Sequence, residues 1–401
     1  MRKYIIIAAL ALAACNGIKT ERAAEAAGQK ATVYYNGDIV TMEGDTATYA
    51  EAVAVKDGRI LFVGAKDEAM KQAGEGHEMV DLQGKTLLPG FIDAHGHAFN
   101  AGFQSASANL LPPPDGNGMN IDSVVTIMQR WYVDHEKAAH KVGWIIGFGY
   151  DDSQLKEKRH PLATDLDKVS NTLPVIAIHQ SGHLSAVNHK ALELIGYGPD
   201  TRDPAGGVIR REKDGKTPNG VLEETAGQLA LLQIFAKVDS TASEALALAG
   251  VDAYKRFGFT TIQEGASTAG IDKTWRSLAE AGKLDVDVAS FPVLVISRDY
   301  MDAYGSRKEY DGHFRVAGVK ITLDGSPQGR TAWLTKPYVV PPPGQPKDYR
   351  GYPSIPRNSL VDSLVEQCFI KGWPVLAHCN GDAAGDQFIA VVSRAEAKLG
   401  K

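Results

Sequence analysis

Apolar and polar positions along this chain follow two regimes. Through about residue 85 the apolar runs are short: Thr32-Val33-Tyr34-Tyr35, Ala52-Val53-Ala54-Val55 and Arg59-Ile60-Leu61-Phe62-Val63. Asn36-Gly37 and Lys56-Asp57-Gly58 interrupt them, and such dipeptides supply the positive φ that tight hairpin turns need. Residues 31–85 are therefore expected to form a small β-sandwich or part of one, with a hairpin turn at Asn36-Gly37. From about residue 240 the pattern becomes periodic. Thr241-Ala242-Ser243-Glu244 reads as a capping box that opens a helix ending before Gly258. A strand over 259–264 follows, then a helix over 271–281 stopped by Gly282, and strands over 286–296 and 315–323. After a loop containing Pro341-Pro342-Pro343-Gly344, a helix over 359–371 stops at Gly372. A strand over 373–377 closes on His378, and Asp382 opens the last helix.

Strands alternating with helices of this length predict βαβ units and a parallel sheet. With 86–93 as the first strand, about five are present, against the eight of a closed barrel. Residues 100–235 break the alternation. They hold the loop Leu111-Pro112-Pro113-Pro114-Asp115-Gly116, a helix over 121–139, and buried-type strands over 143–151 and 174–179. They read as an inserted α+β sub-domain covering the site. His95, Glu264, Lys320, Asp324 and His378 all fall at strand C-terminal ends, where barrel enzymes carry their chemistry. The expected fold is therefore α/β: a TIM-type (β/α) barrel of about five of eight strands, 86–401, behind an N-terminal β unit over 31–85.

The first residues read as a targeting segment rather than fold. Arg2 and Lys3 precede an apolar run too short to span a bilayer, ending in Leu12-Ala13-Ala14-Cys15. That tetrad resembles the bacterial lipobox. The resemblance implies a signal peptide over 1–15, a membrane tether acylated at Cys15, and a polar linker over 16–30. A plain secretory peptide cleaved near Ala11-Leu12-Ala13 is the alternative, and either reading exports the protein to the cell envelope.

The 401 residues are 44% hydrophobic and 23% charged, in the range of soluble globular proteins. A net charge of −5 without a later Lys/Arg run excludes nucleic acid as the expected partner. Cys368 and Cys379 are too few for a disulfide framework.

The chemistry concentrates in Thr86-Leu87-Leu88-Pro89-Gly90-Phe91-Ile92-Asp93-Ala94-His95-Gly96-His97. As a strand, this stretch would put Asp93, His95 and His97 on one face, with both imidazoles able to reach a single ion. Three further segments matter: 143–151, Gly182-His183-Leu184-Ser185-Ala186-Val187-Asn188, and Val319-Lys320-Ile321-Thr322-Leu323-Asp324-Gly325-Ser326 running on to Gly329-Arg330-Thr331-Ala332. Together they resemble the metal-dependent amidohydrolase superfamily, in its family-3 branch of N-substituted formamide deformylase-like enzymes, over roughly residues 31–400.

That resemblance implies His95, His97 and His378 as metal ligands. It implies Lys320 as a lysine that carries a carboxylate and bridges two metals. An ammonium inside an apolar strand is costly to bury, and carbamylation would turn it into an anionic oxygen ligand. His183 is implied as a catalytic or substrate-contacting group. Asp93 reads as an orienting neighbour of the ligands, and Asp324, Arg330 and Glu264 as weaker candidates. His140, His160 and His313 carry no motif and read as surface or loop residues. The implied cofactor is one or two divalent ions, most plausibly Zn²⁺, which acidify a bound water and polarise a carbonyl. The implied reaction is hydrolysis of a carbon–nitrogen bond in a small amide, N-formyl or N-acyl compound. Hydrolysis of an ester or lactone, and ligand binding on a degenerate scaffold, are the alternatives.

The family pattern continues with a histidine ligand at a sixth strand and an aspartate at an eighth, and the sequence stops before either. Five strands would leave sheet edges unpaired. The expectation is a fragment of a longer reading frame, with little hydrolase activity alone.

Overall fold

The computed structural model describes residues 30–342 and 344–400. The lipobox-like Cys15 and the whole leader lie outside the described residues. The chain divides into two units, one ending at Gly90 and the other beginning at Phe91. Among the described residues no helix is long and apolar enough to cross a membrane.

The first unit holds strands β1 (Thr32–Val40), β2 (Tyr49–Lys56), β3 (Arg59–Gly64), β4 (Glu78–Asp81) and β5 (Thr86–Leu87). They form one sheet in the order β3-β2-β1-β4, with β5 also on β1, rather than two packed sheets. The helix Lys66–Ala73 buries Ala69 against Val33, Ala52 and Ala54. Asp57 (φ 50°) and Gly58 (φ 71°) make the expected turn between β2 and β3. Asn36-Gly37 does not turn. β1 runs through it as a bulge, with Asn36 at φ 58° and the register shifting between Tyr35 and Ile39. The bulge lets the 82–85 turn pair with β1, Leu82 N donating to Tyr35 O and Gly84 N to Asn36 O. A Cβ on Gly37 would lie 2.3 Å from Lys85 O.

The second unit opens with β6 (Phe91–Ile92). The single strand expected over 86–93 is thus two short ones, split at Pro89-Gly90: Thr86–Leu87 pairs with β1, and β6 pairs with a later strand. Next comes a six-stranded mixed sheet of β7 (Ala108–Asn109), β8 (Ile145–Tyr150), β9 (Val175–His179), β10 (Leu184–Val187), β11 (Gly207–Arg211) and β12 (Pro218–Glu224), ordered β11-β12-β10-β9-β8-β7. The helix expected over 121–139 breaks at His135 into Ile121–Asp134 and Glu136–Val142.

Then come β13 (Phe259–Ser267), β14 (Asp287–Pro292), β15 (Phe314–Val316), β16 (Val319–Thr322) and β17 (Val375–His378). β6, β13, β14 and β15 pair in parallel in that order; β16 pairs in parallel with β17, and Val293 bridges Lys320. The strand expected over 315–323 is broken at Ala317-Gly318, where a Cβ on Gly318 would lie 2.3 Å from Pro374 O. Helices Ser240–Lys255, Ala269–Glu280, Asn358–Lys371 and Asp382–Leu399 alternate with these strands. The first is capped by Asp239, whose side chain accepts Ala242 N, ahead of the box expected at Thr241. Trp275, Leu278, Val288, Ile321 and Leu364 lie in the core that joins strands to helices.

Candidate active site

The chain leaves β6 at Ile92 and bends, so His95 and His97 do not sit on a strand. The two histidines therefore do not share a strand face, contrary to the expectation for this stretch. What brings them together is pairing with β13: Asp93 N donates to Thr261 O, Gly265 N donates to Gly96 O, and His97 bridges Glu264. The two rings lie 5.4 Å apart, edge to face. Asp93 holds the bend, with Oδ1 accepting His95 N and Oδ2 accepting Gln263 N. His95 Nδ1 is 2.8 Å from Gln263 Oε1, which fixes Nδ1 as the protonated nitrogen and leaves Nε2 free. Gly96 is required here, since a Cβ would lie 2.1 Å from both Asp93 Oδ2 and Tyr254 Oη.

Lys320, on β16, is buried, and among the described residues no carboxylate lies within ion-pair reach of it. Burial holds its amine below the usual lysine range. Its register partner on β17 is Leu376, and Thr322 pairs with His378. His378 Nε2 is 2.9 Å from Gly325 O, so it donates there and leaves Nδ1 free. Burial also pulls His378 down. His97 is depressed to about 4 by burial first, then by the charges of Lys320, His95, His378 and His183. These five groups, from β6, β16, β17 and the inserted sheet, thus share one electrostatic neighbourhood. At neutral pH His97 is an uncharged imidazole with a lone pair to offer.

His183 sits just before β10, its ring 4.8 Å from that of His378. Its Nδ1 donates to Glu224 Oε2 at 2.8 Å. Glu224 is 3% exposed, at the end of β12, with a strained φ of 48°. Its Oε1 accepts the Thr331 hydroxyl at 2.7 Å, and a Cβ on Gly325 would lie 2.3 Å from that oxygen. Sequence reading missed Glu224. The signal was two acids, Glu223-Glu224, closing an apolar strand run.

The remaining candidates are placed differently. Asp324 is fully buried and accepts three backbone amides, from Trp333, Asn380 and Gly381, so it ties two loops together. Glu264 is buried beneath the bend, accepts Phe99 N at 2.7 Å, and is pushed up to about 8 by burial. It is a protonated prop for the helix Ala98–Ser105 rather than a base. The charge of Arg330 acts on His160 and Tyr338, and the structure does not bring it to the histidines. Cys379, unforeseen, lies beside Lys320. His140 and His313 are exposed, as expected. His160 is not: it is 6% exposed, with Nδ1 3.0 Å from Tyr150 Oη.

A profile of the amidohydrolase family, family 3, matches residues 78–401. The chain is 32% identical over 252 residues to the N-substituted formamide deformylase of Arthrobacter pascens, covering 62% of this chain and 45% of that one. It is 27% identical over 377 residues to the putative amidohydrolase YtcJ of Bacillus subtilis, covering 92% and 67%. The chain therefore spans under half of the first relative's length and two thirds of the second's. Uncharacterized metal-dependent hydrolases of Pyrococcus furiosus and Pyrococcus horikoshii superpose with TM-scores of 0.65 and 0.67. Each is 22% identical and covers 91% of this chain, with 70% and 68% of the respective neighbours. These likenesses show a mixed α/β, TIM-barrel-like fold.

Proposed function

Because the chain belongs to the amidohydrolase family, we propose that its site hydrolyses a carbon–nitrogen bond other than a peptide bond in a small amide, N-formyl and N-acyl compounds first. The formamide deformylase relative supports that class. The observation that carries the reading is the His183–Glu224 pair facing His378.

The donor set fits a divalent ion in kind. His97 is held neutral, His95 and His378 each keep one ring nitrogen free, and Lys320 is buried without a counter-charge. Imidazole-rich sites favour zinc. In spacing the set is open, because the ring nitrogens of His95, His97 and His378 do not all come within 4.8 Å of one another. Carboxylation of Lys320 would supply two oxygens toward that spread. When bound, such an ion supplies Lewis acidity at the carbonyl and lowers the pKa of a water.

The chain's own groups move the proton. Among the described residues His183 Nε2 has no hydrogen-bond partner, and with Nδ1–H held by Glu224 it is the basic nitrogen. It accepts the proton from water, the Glu224 carboxylate stabilises the imidazolium, and Nε2 returns the proton to the departing amine nitrogen. Asp93, Asp324 and Glu264 are all engaged by backbone amides, so none competes for that role. Asp324 keeps the 324–325 and 380–381 turns together and thereby positions the His378 ring. Export and tethering at Cys15 belong to the same proposal, and palmitate labelling lost in Cys15→Ser checks them.

The test is a substrate panel with zinc-loaded full chain. Turnover by this chain alone is expected to be slow, but N-substituted formamides and N-acyl amines should turn over faster than matched esters and lactones, and His183→Ala should lower that residual kcat by about 10²–10⁴-fold. Preferential ester or lactone turnover would replace the proposed reaction. Stoichiometric ligand binding without turnover, unaffected by chelator, would replace it with a binding function.

A further inference from the structure

Outside that site, arginines gather in a hollow that the hydrolytic reading does not use. It lies where the helices Ala269–Glu280 and Arg298–Tyr304 end and β15 begins. In parallel βα units those positions share one end of the sheet, opposite the strand end that carries His378. Arg276, Arg307 and Arg315 line the hollow with Tyr304. Arg276 Cζ stands 3.7 Å from the centroid of the Tyr304 ring and Arg307 Cζ 4.9 Å from it, so two like charges share one aromatic ring. Arg315 Cζ is 4.5 Å from the Tyr310 ring.

A guanidinium carries a fork of N–H donors, and few are used here. Arg276 Nη2 donates to Tyr300 Oη and Arg315 Nη1 to Lys308 O, both neutral acceptors. Among the described residues the Arg307 guanidinium donates to nothing, and none of the three arginines forms an ion pair. The Nε atoms of Arg276 and Arg315 are buried without an acceptor. Buried polar atoms are nearly always satisfied, so neither cation is compensated from behind. The buried Asp272 reaches Arg276 only through its field and turns Oδ1 to the Ser290 hydroxyl. Glu280 and Asp311 also line the hollow, but both are exposed to solvent and pair with none of the arginines.

We propose that Arg276, Arg307 and Arg315 form an oxyanion site, for inorganic phosphate or the terminal phosphate of a small phosphomonoester.

The number of forks selects the ligand class. One guanidinium matches the two oxygens of a carboxylate. Three guanidiniums call for an anion with more terminal oxygens and more charge, which phosphate supplies. The backbone holds the wall in place. Arg307 N donates to Val316 O at 2.7 Å, which folds the 307–316 segment back on itself. Its turn packs on the first helix so closely that a Cβ on Gly312 would lie 2.7 Å from Ala279 O. An anion bound here joins both helix ends to β15, so it stabilises the folded chain by mass action.

The experiment is isothermal titration of the full chain with inorganic phosphate, in chelator and at constant ionic strength. Chelator keeps phosphate from reporting on metal at the histidines. Saturable binding is expected, and Arg307→Gln, an exposed position, should weaken it at least about tenfold. Arg315→Gln should do the same, with circular dichroism to check folding; if that variant unfolds, Arg307→Gln decides alone. Lys308→Gln removes a neighbouring exposed charge and should change affinity by less than about twofold. A second titration with glycerol phosphate separates the sources: tighter binding than phosphate supports the ester, equal or weaker binding the free ion. No saturable binding of either anion, or equal losses in Lys308→Gln and Arg307→Gln, overturns the proposal, the second because it shows a diffuse positive field rather than a site. None of these outcomes depends on hydrolysis.

Discussion

Replacing Glu264 by glutamine separates a prop from a catalytic carboxylate. The residue lies under the His95–His97 bend, 2% exposed, with Phe99 N on Oε2. Burial raises its pKa from 4.5 to about 8, the nearby Asp272 charge pushes the same way, and the Phe99 amide partly opposes both. Below pH 4.5 the carboxyl is neutral folded and unfolded, and its contribution to stability is at its fullest. As pH rises toward 8, the unfolded chain gives up the proton while the buried group keeps it, so the native state loses ground. At about 1.36 kcal/mol per pH unit, an interval of about 3.5 units is worth about 5 kcal/mol. Relaxation around an ionised carboxylate lowers what is measured, so this is a ceiling. The substituted amide has the same shape as the carboxyl and does not titrate. Urea unfolding of metal-free wild type and Glu264→Gln at about pH 5, 6, 7 and 8 should show the variant gaining steadily on the wild type. A stability difference that stays flat across that range would refute the reasoning and restore Glu264 as an available base.

Three further outcomes are expected. Lys320→Met removes a buried, uncompensated amine, so denaturation of the metal-free chain should show unchanged or greater stability, while metal analysis shows weaker retention. Gly96→Ala forces a methyl into Asp93 and Tyr254 and should cost about 1–3 kcal/mol of stability, measured by the same unfolding assay. Glu224→Gln keeps the shape of the His183 partner and removes its charge. It should lower kcat at least about tenfold with little change in KM, read from steady-state kinetics on the best formamide substrate.

Much of the second unit was legible because its elements repeat. The strand–helix alternation after residue 240, the stop glycine Gly372, and His378 at a strand end all follow from periodicity and local conformation. The errors arose where tertiary contacts override local pattern. Asn36-Gly37 has turn chemistry, yet the 82–85 turn recruits it as a bulge. Pro89-Gly90 cuts a continuous apolar run into strands of two sheets. His95 and His97 do converge, but through pairing with β13 rather than strand alternation. Glu224 was invisible because its pairing depends on strands brought together across the inserted sheet. An acid at a strand end looks the same in sequence whether its imidazole partner is exposed, as His313 is for Asp287, or lies in the interior, as His183 does for Glu224.

The central claim is that the β6, β16 and β17 ends hold a divalent ion. Metal content decides it. Wild-type chain loaded with Zn²⁺ and dialysed should carry at least one equivalent more than the folded His95→Ala/His97→Ala chain treated identically. Equal zinc in the two proteins would contradict the account.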